Sequence, residues 1–463
     1  MSRPSVLAVT LPGATGLRLE LEAEVRRRGW PLASVPAAAD LLVVCGFPPP
    51  QDAQWLDAVE RSMPQPAVRI GVVRSGQVTP GLTTGREELI ARALTPRPAV
   101  APGSRTDAGA ETPRNGHSPT AHHDTPTSGT SDDRDSHSHS HSHSNHGTHQ
   151  HHGDQAPRPG DEDHGPHRPA DRAAPADRPR HQDRGGAMEH RGHDMHAMAE
   201  VAGLPMAERG DDRDELRLDQ LHVPFGPALA DWPTGLVLRL TLQGDVVQGA
   251  EVDHLSVPSG GPMPFWAEPW LRAARGEQVT RGSAARRRCA AHLDSAGRLL
   301  AVVGWDDAAA RCRRLRDGLL TGAPGEATRE ALHRTVRRVG GSRSLRWSLA
   351  GLGPLPSDRA QAAGVTGPAL AADGDAYDRL LTWLTEIGRA QEELDDARPL
   401  APDDLTGPRG RLDGSRPPSQ ALLDVLPDLL TGAEFACARI ILASLDPDVE
   451  ELSPAFVSGA AHV

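Results

Sequence analysis

The sequence predicts an α/β N-terminal domain with a parallel sheet and an α+β, mainly helical C-terminal domain, joined by a disordered, histidine-rich segment. Three observations support this prediction. Short apolar runs alternate with helical patterns over residues 1–95. Residues 96–203 are rich in His, Asp, Arg, Pro, Gly and Ser. Residues 204–463 open with a hairpin pattern, and helical spacing of apolar residues then dominates.

The N-terminal elements follow the order expected of an α/β domain. Residues 6–9 are a short apolar run of strand type, and residues 17–28 place Leu17, Leu21 and Val25 on one helical face. Gly29 follows where a C-cap glycine is expected. Strand–helix alternation indicates a flavodoxin-like parallel sheet covered on both faces. The remaining elements are a strand at 40–44, a helix marked by Trp55, Val59 and Met63, and a strand at 68–73.

The middle segment, 96–203, has almost no aliphatic periodicity. A segment of this composition cannot bury enough apolar surface to offset the conformational entropy of an ordered chain. We therefore expect it to be disordered.

The C-terminal part begins with an apolar strand at 236–242, a turn at Gly244 and Asp245, and a second strand from Val246. This order is typical of a hairpin. Helical patterns follow. The predicted helices cover 289–320 with a break near Gly304, then 331–339 and 379–390, and a last strand is predicted at 439–442.

Composition limits the function classes. A length of 463 residues suggests two or three domains. The formal charge of −12 argues against a nucleic-acid binder, and no apolar run approaches the length of a membrane span. Four scattered cysteines without a C-x-x-C pair fit a reduced protein. The expected location is the cytoplasm, free or held at the inner face of the membrane by a partner.

A glycine-rich turn carries the first resemblance. Gly13-Ala14-Thr15-Gly16-Leu17 resembles the Gly-Cys-Thr-Gly-Cys loop of the small iron–sulfur subunit of NADH-quinone oxidoreductase (complex I) and nickel–iron hydrogenases. The strand at 39–46 and Met63-Pro64-Gln65-Pro66 resemble segments of the same subunit. By the family's spacing the third cluster cysteine falls on Ser75, and the fourth lies beyond residue 95. The resemblance implies cluster positions at Ala14, Leu17 and Ser75 that hold no thiolate, the ligand such clusters require.

The C-terminal part resembles the partner large subunit. Residues 226–247 are similar to its Gly-Pro-Gln-His-Pro-x-x-His-Gly-Val-Leu-Arg-Leu hairpin, 364–370 to its Gly-Val-Thr-Gly-Pro loop, and 443–447 to its Gly-Ser-Leu-Asp-Pro segment. In the family, two hairpin histidines border the quinone pocket, and cysteines hold nickel. Residues 228–234 contain no histidine, and the nickel cysteines are missing. The resemblance therefore implies the fold without the family's cluster, quinone and nickel ligands.

The middle segment carries a pattern of histidines typical of metal binding. Seventeen of the 22 histidines lie between His117 and His196. Neutral imidazole binds Ni, Zn and Cu, and thioether sulfur favours Cu(I). Three interpretations remain open: a solubilising linker with incidental affinity, a metal buffer, and a structural metal site. The candidate ligands are His137, His139, His141, His143, His146, His149, His151, His152, His190, His193, Met195 and His196.

These observations favour a cofactor-less paralogue of the complex I/hydrogenase catalytic module with a binding, assembly or regulatory role, binding no redox centre of its own. One alternative is a metallochaperone or metal store for Ni, Zn or Cu. Another is a residual NADH/quinone oxidoreductase that relies on partner subunits, so whether the chain is an enzyme stays open. The expected partners are complex I- or hydrogenase-like subunits, maturation factors and divalent metal ions, without nucleic acid.

Overall fold

The computed structural model describes residues 3–94, 200–201, 204–205, 208–211, 217–258, 260–322 and 324–453. Met1–Pro98 and Asp194–Val463 group into one compact unit. The segment predicted to be disordered lies outside the described residues except for short pieces after residue 199, so its disorder and the three-part domain boundaries stay predictions.

The N-terminal part is built on a three-stranded parallel sheet in the order β1-β2-β3. Every predicted element is present, and one long helix that the sequence analysis did not predict follows the third strand. Gly29 closes the first helix in the left-handed conformation, as predicted. The elements are β1 (Val6–Thr10), α1 (Thr15–Arg28), β2 (Leu41–Cys45), α2 (Ala53–Arg61), β3 (Val68–Val72) and α3 (Val78–Leu94).

The central strand β2 is apolar at every position, so it presents apolar side chains to both faces of the sheet. Helices cover both faces. On one face Val43 packs with Leu21 of α1 and Leu82 of α3. On the other face Leu42 packs with Leu56 of α2. The predicted α/β class is therefore confirmed.

The next part is an antiparallel sheet in the order β6-β7-β8-β9. The predicted hairpin is its β8–β9 pair, in which Gln243 opposes Val246 across the turn. Alternate residues of β8 are buried against the helical part. Two short strands before it, β4 (Glu200–Val201) and β5 (Leu204–Pro205), form a separate antiparallel pair. The strands of the sheet are β6 (Glu208–Asp211), β7 (Arg217–Phe225), β8 (Leu236–Gln243) and β9 (Val246–His254).

The rest of the described chain is mainly helical, as predicted, with a small strand pair, β10 (Thr406–Gly407) and β11 (Gly410–Arg411). The predicted break near Gly304 separates α5 from α6. Within the described ranges, no helix is long and apolar enough to cross a membrane. The helices are α4 (Glu268–Ala274), α5 (Arg281–Val302), α6 (Asp306–Thr321), α7 (Glu326–Gly340), α8 (Arg343–Leu349), α9 (Ser357–Ala362), α10 (Gly367–Ala371), α11 (Ala376–Glu392), α12 (Pro418–Leu430) and α13 (Phe435–Leu445).

The predicted last strand is wrong. Residues 439–442 belong to α13, an eleven-residue helix. A short apolar run does not distinguish a buried strand from a buried helix segment. The helix buries Ala438, Ile441, Leu442 and Leu445 in the C-terminal core, and this spacing of three and four residues is helical.

Candidate functional site

The glycine-rich turn between β1 and α1 forms the centre of the candidate site. Gly13 has a φ of +88°, which favours glycine because a side chain there would be strained. The first N–H groups of a helix have no partner within the helix. Ala14 occupies the N-cap position, and its side chain makes no capping hydrogen bond. The start of α1 therefore needs an acceptor from elsewhere.

Glu450 supplies that acceptor from the other end of the chain. Its Oε1 accepts hydrogen bonds from the backbone N–H groups of Gly13 and Thr15, each at 3.0 Å. Its Oε2 accepts one from the N–H of Phe265, also at 3.0 Å. A carboxylate is stabilised at a helix N-terminus by the helix dipole and by charge-assisted hydrogen bonds. One buried side chain thus joins the α1 turn to two C-terminal segments.

The environment of Glu450 is costly for a charge. The residue is 3 % exposed. Burial raises the pKa of its carboxyl, and the neighbouring Asp448 raises the pKa further. The hydrogen bonds from Phe265 and Thr15 act in the opposite direction. The backbone N–H donors are therefore what stabilises the carboxylate in this place.

The three predicted cluster positions lie in different surroundings. Ala14 is buried beside Gly46 at the end of β2. Leu17 packs against the apolar core under the sheet. Ser75 is exposed, and its Oγ donates a hydrogen bond to Glu20 of α1 at 3.0 Å. The two cavities described below are lined by none of the three. Their interpretation as vacated cluster positions stays a prediction.

A buried ion-pair cluster lies further along α1. Arg316 of α6 is 0 % exposed and bonds both Asp294 of α5 and Glu22 of α1, the latter at 2.8 Å. Arg18 of α1 contacts the same Asp294 at 2.8 Å. Burial alone would raise the pKa of Asp294, but the nearby arginines outweigh it and hold the pKa well below its usual range. The cluster fastens α1 to the helical part.

Arg298 extends the cluster toward the C-terminal segment. Its guanidinium bonds Asp294 at 2.9 Å and Asp446 at 3.3 Å. Asp446 also binds Arg409 at 2.6 Å and accepts a hydrogen bond from Ser295 Oγ at 2.6 Å. A continuous chain of charged groups therefore runs from α1 to the turn after α13.

A small cavity of about 20 Å³ lies beside this chain of charges, with His292, Ser295, Arg409 and Asp446 in its lining. A cavity of this size accommodates one water. His292 Nε2 is buried and has no hydrogen-bond partner among the described residues. Burial, with Arg288 and Arg409 nearby, lowers the pKa of His292 to about 3. The imidazole is therefore neutral at pH 7.

The cysteines are poor candidates for reactive groups. Burial raises the pKa of Cys45, Cys289 and Cys312 to about 12 in each case. A thiol with such a pKa remains protonated at neutral pH and does not act as a thiolate ligand or nucleophile. Within the part of the chain that the structure describes, no group of three or more His, Cys, Asp or Glu side chains is placed to hold a metal ion.

The predicted metal ligands lie outside the described residues, so the metal site stays a prediction. These are His137, His139, His141, His143, His146, His149, His151, His152, His190, His193, Met195 and His196.

Sequence reasoning missed Glu450, Asp294 and Arg409. A usable signal existed for one of them, because Asp294 and Arg298 stand four residues apart in a stretch otherwise rich in Ala and Leu. Charged residues in an apolar helix are almost always paired when buried. Glu450 and Asp294 also have partners 437 and 276 residues away, which no local pattern indicates.

No protein-family model matches the chain, and no curated protein is significantly similar to it. One solved structure that resembles it is described as the membrane-bound sulfane sulfur reductase, an archaeal respiratory membrane complex. The identity is 18 %, the TM-score is 0.35, and the match covers 50 % of this chain and 98 % of the other. The chain thus has a weak structural likeness to a component of a respiratory complex, from which no function follows.

Proposed function

We propose that the protein is a cofactor-less paralogue of the complex I/hydrogenase catalytic module with a binding, assembly or regulatory role. The proposal rests on one observation: the Glu450 carboxylate accepts hydrogen bonds from the turn that resembles the cluster loop. The side chains at the first two cluster positions, Ala14 and Leu17, are apolar. In this proposal the turn no longer presents cluster ligands and instead holds the N-terminal sheet to the C-terminal part.

The buried ion pairs support the same proposal. Arg18 and Arg316 together neutralise Glu22 and Asp294, and these contacts cross from α1 to α5 and α6. Breaking a buried ion pair costs about 3–5 kcal/mol because a charge is left uncompensated. In this proposal the contacts hold α1, α5 and α6 together as one rigid body, and its outer surface binds the partner.

Reconstitution with iron and sulfide tests the loss of the cluster. The purified full-length chain is incubated anaerobically with ferrous iron, sulfide and a thiol reductant, and acid-labile sulfide and visible absorption are measured after desalting. We expect no stoichiometric sulfide and no cluster absorption. A matched variant that lacks residues 130–200 removes iron bound to histidines. Stoichiometric labile sulfide in both proteins would contradict the proposal.

The assembly role needs a separate measurement. The chain is tagged at its own locus, and its hydrodynamic size in extract is compared with that of the purified chain. We expect a larger, defined complex that contains a complex I- or hydrogenase-like subunit or a maturation factor. Identical sizes in extract and in purified form argue against an assembly role.

Metal storage or delivery is the second candidate, and the seventeen histidines between His117 and His196 support it. Deleting residues 130–200 is expected to abolish binding of Ni, Zn and Cu, whose affinity should fall below about pH 6 as imidazoles protonate. The physiological role predicts in addition a metal-dependent growth or maturation defect in cells that carry the deletion. Normal growth at limiting and excess metal would leave the histidines with incidental affinity and refute this candidate.

A further inference from the structure

A second and much larger cavity lies beside the ion-pair cluster. Its volume is about 680 Å³. Small-molecule sites in proteins usually occupy about 300–1,000 Å³. The cavity is bounded by β1 and α1 on one side and by α5, α6, α13 and the loop that joins β7 to β8 on the other.

One wall of this cavity is aromatic and aliphatic. The rings of Phe225 and Phe435 lie 4.4 Å apart between centroids and are tilted by 34°. Leu229 and Val302 line the cavity with them. Aromatic rings arranged in this way offer a large apolar contact area for a flat ligand.

Three of the four arginines that line the cavity are already neutralised. Besides the Asp294 that two of them share, Arg18 pairs with Glu22 and Arg298 pairs with Asp446. Arg313 pairs with Asp231. These side chains are therefore part of the structure and carry little free charge toward a ligand.

Arg439 differs from the other three arginines. Across the described ranges, the structure gives it no ion pair and no hydrogen bond, although it is only partly exposed. It lies on α13 four residues after Phe435, so the two side chains project from one helix face. The exposed Asp306 is in the first turn of α6, where the helix dipole stabilises its charge. The unneutralised cation of the cavity thus stands next to its aromatic wall.

We propose that this cavity binds a small amphipathic anion, with an aromatic or aliphatic body against Phe225 and Phe435 and a carboxylate, sulfonate or phosphate group on Arg439. Guanidinium groups bind such oxyanions through charge-assisted, often bidentate hydrogen bonds. The inference is independent of the proposed assembly role, because it uses neither the α1 turn nor the histidine segment.

Two fluorescent probes with one ring system test the proposal. Anilinonaphthalene sulfonate carries the anionic group, and phenylnaphthylamine is its neutral counterpart. Both are titrated into the full-length chain and into Arg439→Gln. We expect saturable binding of one molecule of each probe, and about a tenfold loss of affinity for the sulfonate alone in the variant, the size of one charge-assisted contact.

Two further variants separate this site from general dye binding. Arg338→Gln removes an exposed arginine on α7 and should change neither affinity. Ala230→Trp places an indole in the cavity and should abolish binding of both probes. The proposal is overturned if Ala230→Trp binds the probes like the wild type, if Arg338→Gln weakens the sulfonate as much as Arg439→Gln, or if Arg439→Gln weakens both probes equally. Circular dichroism of each variant checks that the fold is retained.

Discussion

Replacing Glu450 by alanine tests the contact on which the candidate site depends. The substitution removes the acceptor for three backbone N–H groups, those of Gly13, Thr15 and Phe265. Alanine offers no replacement, and the carboxylate is almost fully buried. The turn before α1 would then keep its shape with unsatisfied donors or open to water.

The expected loss of stability follows from these three bonds. An unsatisfied buried donor costs about 1–3 kcal/mol, so the three together cost about 3–9 kcal/mol if all of them stay buried. Relief of burying a charge beside Asp448 offsets part of this cost, and we expect a net loss of about 3–4 kcal/mol. Glu450→Gln keeps an oxygen for Gly13 and Thr15 but presents an amide N–H₂ to Phe265. We expect it to cost about 1–2 kcal/mol.

Urea unfolding of the full-length chain, followed by tryptophan fluorescence and by circular dichroism, measures both variants against the wild type. Glu392→Ala is the matched control, because Glu392 is exposed at the end of α11, and its removal should change stability by less than about 0.5 kcal/mol. If Glu450→Ala costs no more stability than Glu392→Ala, the carboxylate does not hold the turn, and the proposed role of Glu450 is refuted.

Three further predictions concern other buried groups. Ellman's reagent should label one thiol per native chain, that of the partly exposed Cys437, and four thiols in denaturant. Rapid labelling of more than one thiol in the native chain would contradict the burial of the other three cysteines. Burial and Asp448 raise the pKa of Glu451 from 4.5 to about 7, so its stabilising contribution is complete below pH 4.5 and is lost as the pH rises through 7. Glu451→Gln should therefore weaken the fall in unfolding free energy between about pH 5 and 8, and an unchanged pH profile would refute this. Arg316→Met should cost about 3–5 kcal/mol in urea unfolding, whereas a loss below about 1 kcal/mol would show that the remaining arginines neutralise Asp294 and Glu22.

Local patterns predicted most elements of the fold. The strands β1 and β2 are mainly buried apolar runs, and the glycine after α1 marks its end in both sequence and structure. The same reasoning failed for α13, because the predicted strand at 439–442 covers only four residues, three of them apolar. A window extended back to Phe435 contains Ala438, Ile441 and Leu445 in helical spacing, and it would have favoured a helix.

The site was largely beyond prediction from sequence. Arg18 pairs with Asp294, which lies 276 residues later in the sequence, and Gly13 bonds Glu450, which lies 437 residues later. Short-range periodicity indicates which face of a helix or strand is buried, but it does not indicate which charged side chains form ion pairs. The turn at residues 13–17 is recognisable in the sequence, but its acceptor, Glu450, is brought to it only by the fold.

The bond between Glu450 and Gly13 also has a consequence for biosynthesis. A ribosome must polymerise 437 further residues after Gly13 before the acceptor for that amide exists. The N-terminal sheet can form early, but its first turn stays incompletely bonded until residue 450 has been translated. Chains that terminate before residue 450 would therefore lack the acceptor for the amides of Gly13 and Thr15.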